Sequence, residues 1–565
     1  MSPTPGILYV TMQPKPSLPL DKFHDWYNNE HGPTRLRLPF VSNGFRYRAN
    51  DLEVGSTGSA EKPEWMAIYD IADMAELTRD AYLRLRDPPV KSPREADTMK
   101  EITVDRKLYD HLQTWASKDF TALEEVQNEG RGNVVVAVFL TLQPGEENSA
   151  EIEKWYQEEH VHMLSKIPGW LRTRRFVTSS IDKSAAVEYL ALHEYAPQNG
   201  LGGEEFQAAV STDWSKKIMT GTSVVKGKRR RVYDLYYTFG PAPRYLASNL
   251  ASWESSDVKS SITRTMPESS GGFGAIESFV TMRDGVELPY RLEGSQETDA
   301  PLIVLSNSIL VDYGIWDGFL AAFFAVPANR KYRVLRYLTR GRSSSTGSEK
   351  VTVDVLAADI ITLLDALRVK KAAAVIGVSL GGCTTLNTAL KYPERVAAFI
   401  SCDTSSKSPA GNSKAWGERI ALAEKGNACA ASGEKIVGDE LAEITTRRWF
   451  VPESYDGGAM EKTCLRVKEM VKSNSLEGFK SSVNALFEYD LREAMRGSQV
   501  KGAFVVGSKD GVLPGTMKEM AAAYGEGAGA GAGAGAAYEV IDGAGHLPMV
   551  EKPGVFADVV TRFLG

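Results

Sequence analysis

The second half of the chain alternates short apolar runs with segments of helical periodicity. Four such runs end at Leu305, Ile376, Cys402 and Val506. Uninterrupted apolar runs of this length are typical of parallel strands that are buried on both faces of a sheet. The pattern predicts an α/β domain over residues 275–565. Residues 404–485 have helical periodicity but interrupt the alternation, so they predict a helical cap on this domain.

The first 240 residues show another pattern, because one unit is duplicated. The stretch Phe23-His-Asp-Trp-Tyr-Asn-Asn-Glu-His31 returns as Ile152-Glu-Lys-Trp-Tyr-Gln-Glu-Glu-His160. Each copy is predicted to form the ferredoxin-like order βαββαβ, which makes this half α+β. The copies are predicted at residues 1–118 and 130–240, and a linker rich in Pro, Ser and Gly at 241–274. Helices cover one face of each sheet, and the second copy is predicted to cover the other.

The apolar run that ends at Ile376 leads into the turn Gly377-Val-Ser379-Leu-Gly381 and then into a predicted helix. A strand, a G-x-S-x-G turn and a helix in this order are the setting of a nucleophilic serine. A serine hydroxyl needs a base within hydrogen-bond reach to act near neutral pH. After His193 the chain contains one histidine, His546, in the segment Gly545-His-Leu-Pro548. Ser379 is therefore the predicted nucleophile and His546 its base.

Two aspartates compete for the place of the acid that orients the histidine. Asp510 follows the apolar run that ends at Val506, and Asp403 follows the run that ends at Cys402. The expected chain order is serine, acid, histidine, and both aspartates satisfy it. Asp510 is favoured because an acid before the last strand is the more usual arrangement. For either aspartate the alternative is a cap on the next helix.

The oxyanion hole requires two backbone N–H groups that point to the developing negative charge. One is expected from Leu380, directly after the nucleophile, and the other from Ile309, in the turn after the strand that ends at Leu305.

Residues 275–565 resemble α/β hydrolases of the 3-oxoadipate enol-lactonase type. The resemblance rests on Leu305-Ser-Asn-Ser308, Thr339-Arg-Gly341, Gly377-Val-Ser-Leu-Gly-Gly382, Arg448-Trp-Phe450, Tyr489-Asp-Leu-Arg492 and Gly545-His546. It implies the opening of an enol-lactone that bears a carboxylate, with Arg448 and Trp449 at a cap position suited to that anion. It implies no cofactor.

The duplicated half resembles EthD-like members of the dimeric α+β-barrel superfamily, through its W-Y-x-x-E-H helix. The resemblance implies a possible second site, in which Glu30 with His31 and Glu159 with His160 perform acid/base chemistry in a barrel cleft. On an α-helix Tyr27 and His31 would share a face. The alternative is that these are buried polar pairs that hold the two sheets together. No further ligand spacing predicts a metal site.

Net charge and composition indicate which binding partners and which compartment to expect. A formal net charge of −6 gives no reason to expect nucleic acid. The four cysteines have no C-x-x-C spacing and are interpreted as reduced thiols. The N-terminal residues lack the pattern of a secretory signal, and no apolar stretch is long enough to span a bilayer, so a cytoplasmic protein is expected. The expected assembly is a monomer with an internal pseudo-dimer, with a homo-oligomer as the alternative.

Together these features predict a serine hydrolase that opens a lactone or cleaves a small ester. One alternative is a bifunctional enzyme whose barrel isomerises or dehydrates a precursor before hydrolysis. Another is a β-diketone C–C hydrolase with a non-catalytic N-terminal module. The Gly/Ala repeat at 525–536 is interpreted as a flexible surface insertion.

Overall fold

The computed structural model describes residues 2–122, 125, 131–221, 223–246, 250–256, 262–267, 272–527 and 535–565. Most of the Gly/Ala repeat, at 528–534, lies outside these residues, and so do parts of the predicted linker. The chain forms two compact units. The first ends at Pro243 and the second begins at Arg244, except that residues 255–256 group with the first.

Eight antiparallel strands of the first unit close into a barrel, in the order β1-β3-β2-β8-β5-β7-β6-β4. The strands are β1 (Gly6–Pro14), β2 (Val41–Ala49), β3 (Trp65–Ile71), β4 (Ile102–Ala116), β5 (Val134–Leu142), β6 (Trp170–Thr178), β7 (Tyr189–Tyr195) and β8 (Val225–Thr238). The two copies join through the pairs β2–β8 and β4–β6. The sheets of the two copies are therefore joined along their edges into one closed barrel, which confirms the barrel that the sequence predicts.

Along each strand, successive side chains point alternately to the inner and the outer side of the barrel. Val135 and Ala137 of β5 belong to a core to which strands of both copies contribute. Their neighbours Val134 and Val136 pack instead with Trp155 under the helices of the second copy. The helices are α1 (Leu20–Trp26), α2 (Gly32–Leu36), α3 (Asp80–Leu83), α4 (Pro93–Lys100), α5 (Glu146–Trp155), α6 (Val161–Leu164), α7 (Glu204–Ser211) and α8 (Asp213–Thr220).

The two W-Y-x-x-E-H segments differ from the expected α-helix. Each is a turn of π-helix, at Tyr27–His31 and at Tyr156–His160. The wider turn makes residues five positions apart into neighbours. The His160 ring therefore stacks on Trp155 with ring centroids 4.0 Å apart, and the corresponding pair in the first copy lies 4.8 Å apart.

The second unit contains a mixed sheet in the order β18-β17-β16-β15-β13-β14-β12-β11-β10-β9. The strands are β9 (Trp253–Ser256), β10 (Ile262–Met266), β11 (Ala275–Thr281), β12 (Glu287–Gly294), β13 (Leu302–Ser306), β14 (Arg333–Tyr337), β15 (Ala374–Val378), β16 (Ala398–Cys402), β17 (Lys501–Gly507) and β18 (Ala537–Ile541). From β14 to β18 the neighbouring strands are parallel, as the apolar runs predict. This part of the sheet determines where the candidate site lies.

Helices flank this sheet and also fill the interval between β16 and β17, where the sequence predicts a cap. Those beside the sheet are α9 (Asp317–Ala325), α10 (Val353–Ala366), α11 (Leu380–Lys391), α18 (Leu513–Ala523), α19 (Pro548–Glu551) and α20 (Pro553–Leu564). Those between β16 and β17 are α12 (Asn412–Gly426), α13 (Asp439–Trp449), α14 (Pro452–Tyr455), α15 (Glu461–Lys472), α16 (Leu476–Val483) and α17 (Arg492–Arg496). Within the described ranges, no helix has the length and apolarity needed to cross a membrane.

The interval 241–274 contains two strands where the sequence predicts only a linker. β10 pairs antiparallel with β11, with Arg264 opposite Glu277. Thr263 and Thr265 are buried on either side of Arg264. The alternation Ile-Thr-Arg-Thr-Met is a strand signal that the surrounding Pro, Ser and Gly residues concealed.

Candidate active site

Ser379 lies in a strained turn between β15 and α11. Its backbone has φ 59° and ψ −118°, an uncommon conformation for a residue with a side chain. The Ser379 N–H donates to the carbonyl of Cys402 on the neighbouring strand, at 2.9 Å. The side chain is partly exposed although the strand before it is buried. The turn therefore presents the hydroxyl at the carboxyl edge of the sheet.

The glycines on both sides of Ser379 allow the chain to pass close to its neighbours. A Cβ atom on Gly377 would lie 2.2 Å from the carbonyl oxygen of Gly381. A Cβ atom on Gly381 would lie 2.2 Å from the carbonyl oxygen of Ser306. Neither position has room for a side chain, so the G-x-S-x-G pattern is a requirement of local geometry.

His546 and Asp510 form a short hydrogen bond, with 2.7 Å between Nδ1 of the histidine and Oδ2 of the aspartate. Both side chains are largely but not fully buried. The loops that carry them are joined by backbone bonds, from Ser508 N–H to the carbonyl of Ile541 and from Lys509 N–H to that of Ala544, both at 2.9 Å. The acid is therefore held beside Nδ1, and Nε2 of the ring is left for a reacting group.

Trp449 lies behind His546. The backbone N–H of His546 donates to the Trp449 carbonyl at 2.7 Å, and the two rings stack with centroids 5.8 Å apart. Trp449 is only 1% exposed. These contacts place Trp449 behind the histidine, and its predicted role in substrate binding stays a prediction.

Buried Glu551 holds the same loop from its other side. Its carboxylate accepts from the N–H groups of Gly545, at 2.5 Å, and Val451, at 3.0 Å. Burial raises the pKa of this carboxyl group, and the two backbone donors oppose that effect. Glu551 thus links the histidine loop to the end of α13.

Asp403, the competing acid, lies beside Asp510 and not against the imidazole as a hydrogen-bond partner. The potential ligand atoms of Asp403, Asp510 and His546 all lie within 4.8 Å of one another. Asp403 is 1% exposed, and its Oδ1 accepts from the Gly507 N–H at 2.9 Å. Burial, reinforced by the negative charge of Asp510, raises the pKa of Asp403 well above its usual range. Asp403 is therefore a buried neighbour of the acid that contacts the histidine, and its surroundings favour the protonated form.

The parallel register brings the two predicted oxyanion donors to the same edge of the sheet. Ser306 at the end of β13 pairs with Gly377 of β15, so the turn that follows Ser306 lies next to the nucleophile turn. Ile309 is buried in that turn. Leu380 begins α11, where an N–H group has no acceptor within the helix. Arg342 supports the turn by donating to the Leu310 carbonyl at 3.3 Å.

Arg448 lies at the end of α13, and its positively charged side chain is near the triad. Its pKa is lowered to about 10, first because its charge is desolvated and second because Arg419 repels it, while Asp510 acts in the opposite direction. The pKa of Arg419 is also lowered by burial, and its guanidinium lies 4.6 Å from the Trp416 ring centroid. In the described part of the chain, neither arginine has a carboxylate within ion-pair distance. Two neighbouring cations that form no ion pair favour a bound anion.

The structure does not form the predicted Glu30–His31 and Glu159–His160 pairs. His31 contacts Glu95 through Nδ1 at 2.9 Å, while Glu30 accepts from Ser92. Glu159 accepts from Thr212 at 2.7 Å. The expected location also needs correction, because both histidines lie under the helices, on the outer side of the barrel. The reason is the π-turn, which changes which side chains share a face.

Comparison with known proteins agrees with the geometry of the second unit. Residues 313–553 match the α/β hydrolase fold family. 3-Oxoadipate enol-lactonase 1 of Acinetobacter baylyi is 28% identical over 285 residues, which cover 50% of this chain and 96% of the relative. Enol-lactonase 2 of the same organism is 28% identical over 268 residues, 47% of this chain and 88% of the relative.

Among solved structures, the enol-lactonase from Burkholderia xenovorans is 27% identical, with a TM-score of 0.42, and the alignment covers 51% of this chain and 99% of that one. The C-terminal unit has the α/β hydrolase fold and resembles the Acinetobacter enol-lactonases in sequence. The barrel lies outside the matched residues 313–553, so its EthD-like relationship stays a prediction.

Sequence reasoning missed three features of the site, namely Glu551, Arg419 and the position of Asp403 beside Asp510. Glu551 follows Pro548-Met-Val550 in a largely apolar segment, and a carboxylate in such a segment is a signal for a buried acceptor. Arg419 gave no signal, because a helical arginine is ordinarily solvated. The proximity of Asp403 to Asp510 depends on the pairing of β16 with β17, which a linear pattern does not contain.

Proposed function

We propose that the C-terminal unit hydrolyses a lactone or a small ester through Ser379, His546 and Asp510. The observation that carries the proposal is the 2.7 Å bond between Asp510 and His546, formed at the same sheet edge as the strained turn of Ser379. This arrangement supplies a nucleophile, a base and an orienting acid. The resemblance to the two Acinetobacter enol-lactonases supports the same class of reaction.

In the first half-reaction, the Ser379 hydroxyl attacks the carbonyl carbon while Nε2 of His546 accepts its proton. Asp510 holds the opposite ring nitrogen in its protonated form and stabilises the imidazolium that develops. The N–H groups of Ile309 and Leu380 bind the oxyanion of the tetrahedral intermediate. His546 then returns the proton to the alkoxide or enolate leaving group, and the acyl-serine forms.

In the second half-reaction a water molecule gives its proton to His546 and attacks the acyl carbon. Collapse of the second tetrahedral intermediate releases the carboxylate and restores the Ser379 hydroxyl. A lactone keeps its leaving group attached to the acyl chain, so ring opening yields one product that carries a new carboxylate.

The substrate class we favour bears a carboxylate in addition to the reacting carbonyl. Arg448 and Arg419 support this choice, because they form no ion pair among the described residues and a substrate anion would compensate both charges. A charge-assisted hydrogen bond to a carboxylate contributes about 1.5–3 kcal/mol. This contribution is sufficient to distinguish an acidic lactone from a neutral ester.

The experiment is to assay the full chain against acidic and neutral lactones, p-nitrophenyl esters and β-diketones, with Ser379→Ala as the matched control. We expect turnover of lactones or esters, and a loss of about 10⁴-fold or more in Ser379→Ala with an unchanged melting temperature. A folded Ser379→Ala enzyme that kept its activity would overturn the proposal. Cleavage of diketones alone would reassign the reaction to C–C bond hydrolysis.

A further inference from the structure

The second copy of the duplicated unit contains a cavity of about 370 Å³ that is separate from the triad. It lies between the outer side of the barrel strands and the helices of that copy. Most of its lining is apolar and aromatic, and its polar members include His160 and His193. A largely apolar cavity of this size with a few inward polar groups is typical of a small-molecule site.

The corresponding place in the first copy is closed. There the space around Tyr27 and His31 amounts to about 10 Å³. Glu95 reaches His31 at 2.9 Å and Arg35 at 3.8 Å, and the hydroxyl groups of Tyr69 and Tyr27 are 3.2 Å apart. The side chains of the first copy therefore satisfy one another and leave no room for a ligand.

The two copies differ at one position that changes the hydrogen bonding of the histidine. Ser92 caps α4 by accepting from the Glu95 N–H, and Thr212 caps α8 by accepting from the Ser215 N–H. Each cap also donates to the glutamate of its own W-Y-x-x-E-H motif. Ser215 therefore occupies the position of Glu95, and its hydroxyl is bonded to the Ala209 carbonyl at 2.9 Å. The second copy therefore lacks the carboxylate that pairs with the histidine in the first.

His160 is left as a buried group with an unused ring nitrogen. It is 8% exposed, and its Nδ1 has no hydrogen-bond partner among the described residues. Burial lowers its pKa, as does the nearby His193, so the ring is neutral. The His193 ring lies 6.2 Å away and is itself bonded to Thr173 at 3.1 Å. An unpaired buried nitrogen is unfavourable, and a bound hydrogen-bonding group would satisfy it.

The cavity lining also contains a cation. Arg230 is exposed there, with its guanidinium 6.0 Å from the Phe206 ring centroid. In the part of the chain that the structure describes, it has no carboxylate within ion-pair distance. The apolar walls, the buried imidazole and the exposed guanidinium together describe the chemistry of one ligand.

We propose that this cavity binds a small ring-shaped apolar molecule that carries a hydroxyl or carbonyl group and a separate anionic group. The hydroxyl or carbonyl group faces His160, and the anionic group faces Arg230. The ring packs against the aromatic lining, including Tyr195 and Phe206. This site is distinct from the hydrolase triad, and the first copy is its closed counterpart.

The test uses 6-hydroxy-2-naphthoate, which has its hydroxyl and carboxylate at opposite ends of a rigid ring, and isothermal titration calorimetry of the full chain. We expect one binding site per chain and an unchanged affinity in Ser379→Ala. Val210→Trp fills the rim from an exposed position and should weaken binding at least tenfold. Val187→Trp, at another exposed valine outside the cavity lining, is the matched control and should bind normally.

Two further variants test the role of the histidine. Ser215→Glu introduces the carboxylate of the first copy and should abolish binding. His160→Phe should remove the advantage of 6-hydroxy-2-naphthoate over 2-naphthoate while the fold, followed by circular dichroism, is retained. No binding at millimolar probe, or equal binding in the wild type and folded Val210→Trp, overturns the proposal. Loss of binding in Ser379→Ala would place the probe in the hydrolase site and overturn it as well.

Discussion

Asp403 and Asp510 lie side by side at the carboxyl ends of β16 and β17, one as a buried acid whose pKa is raised and the other as the partner of His546. Only Asp510 makes the 2.7 Å bond to the imidazole. Asp403 instead accepts from the backbone of Gly507, three residues before Asp510. The sequence presents Asp403 and Asp510 as alternatives for the orienting acid. In the structure they have different roles in the same site.

The first prediction distinguishes the roles of Asp510 and Asp403 by their effects on kcat. Asp510→Asn should lower kcat about 10⁴-fold, because an amide favours the wrong tautomer of the histidine. Asp403→Asn should change kcat less than about tenfold, since the amide oxygen still accepts from Gly507 and the amide group resembles a neutral acid. Steady-state kinetics on a hydrolysed lactone or ester measures both. The opposite ranking would assign the orienting role to Asp403.

The second prediction concerns the stability of Asp403→Asn as a function of pH. In the unfolded chain an aspartate ionises near pH ~4, whereas burial raises the pKa of Asp403 in the folded protein. The folded state therefore binds more protons above that pH, and this group lowers the free energy of unfolding as the pH rises towards its folded pKa.

Asparagine has no such titration, so the variant should gain stability relative to the wild type from pH 4 upward. The gain should be up to about 1.4 kcal/mol per pH unit. Urea unfolding of both proteins at several pH values measures the difference. Parallel stability curves would mean that Asp403 is ionised in the folded state.

The third prediction tests anion recognition by Arg448. Arg448→Met should raise KM for acidic lactones, with a fall in kcat/KM of about 10- to 100-fold, and should barely affect neutral esters. The neighbouring Arg447 is the matched control, because it is exposed and paired with Glu443 at 2.8 Å. Arg447→Met should leave both substrate classes unchanged. Equal losses for acidic and neutral substrates in Arg448→Met would make this residue a structural part of the cap.

The fourth prediction separates the duplicated barrel from hydrolysis. The double variant His31→Ala with His160→Ala should keep the wild-type kcat on a preformed lactone, because Ser379 and its partners all lie in the second unit. Its melting temperature should fall, because His31 loses its bond to Glu95 and both rings lose their aromatic contacts. A folded double variant that no longer opened the lactone would place the barrel in the hydrolytic step.

Local geometry explains why part of the site was predictable. The conformation of Ser379 requires glycines at neighbouring positions, so the requirement is visible in a short stretch of sequence. His546 was identifiable because no other histidine follows His193. The duplicated barrel was predictable for another reason, since a repeated pattern of strands and helices gives two sheets that each need a partner.

The linear sequence pattern could not predict which side chains contact one another. Glu95 is 64 residues from His31, and their contact depends on a turn of π-helix. The periodicity of the sequence instead predicted an ordinary α-helix at this position. The two copies share the motif W-Y-x-x-E-H, yet one cleft is filled and the other is open. Glu95 and Ser215, which lie outside the motif, contribute to this difference.

The sequence by itself determined the α/β and duplicated α+β architectures, the nucleophile turn and the candidate histidine, because each is encoded by residues that are close in the chain or repeated along it. Only the tertiary structure decided that Asp510 contacts His546, that burial raises the pKa of the neighbouring Asp403, and that Trp449 packs behind the imidazole. These choices depend on distances between separate strands and on the loss of water around buried charges. Both quantities exist only after the chain has folded.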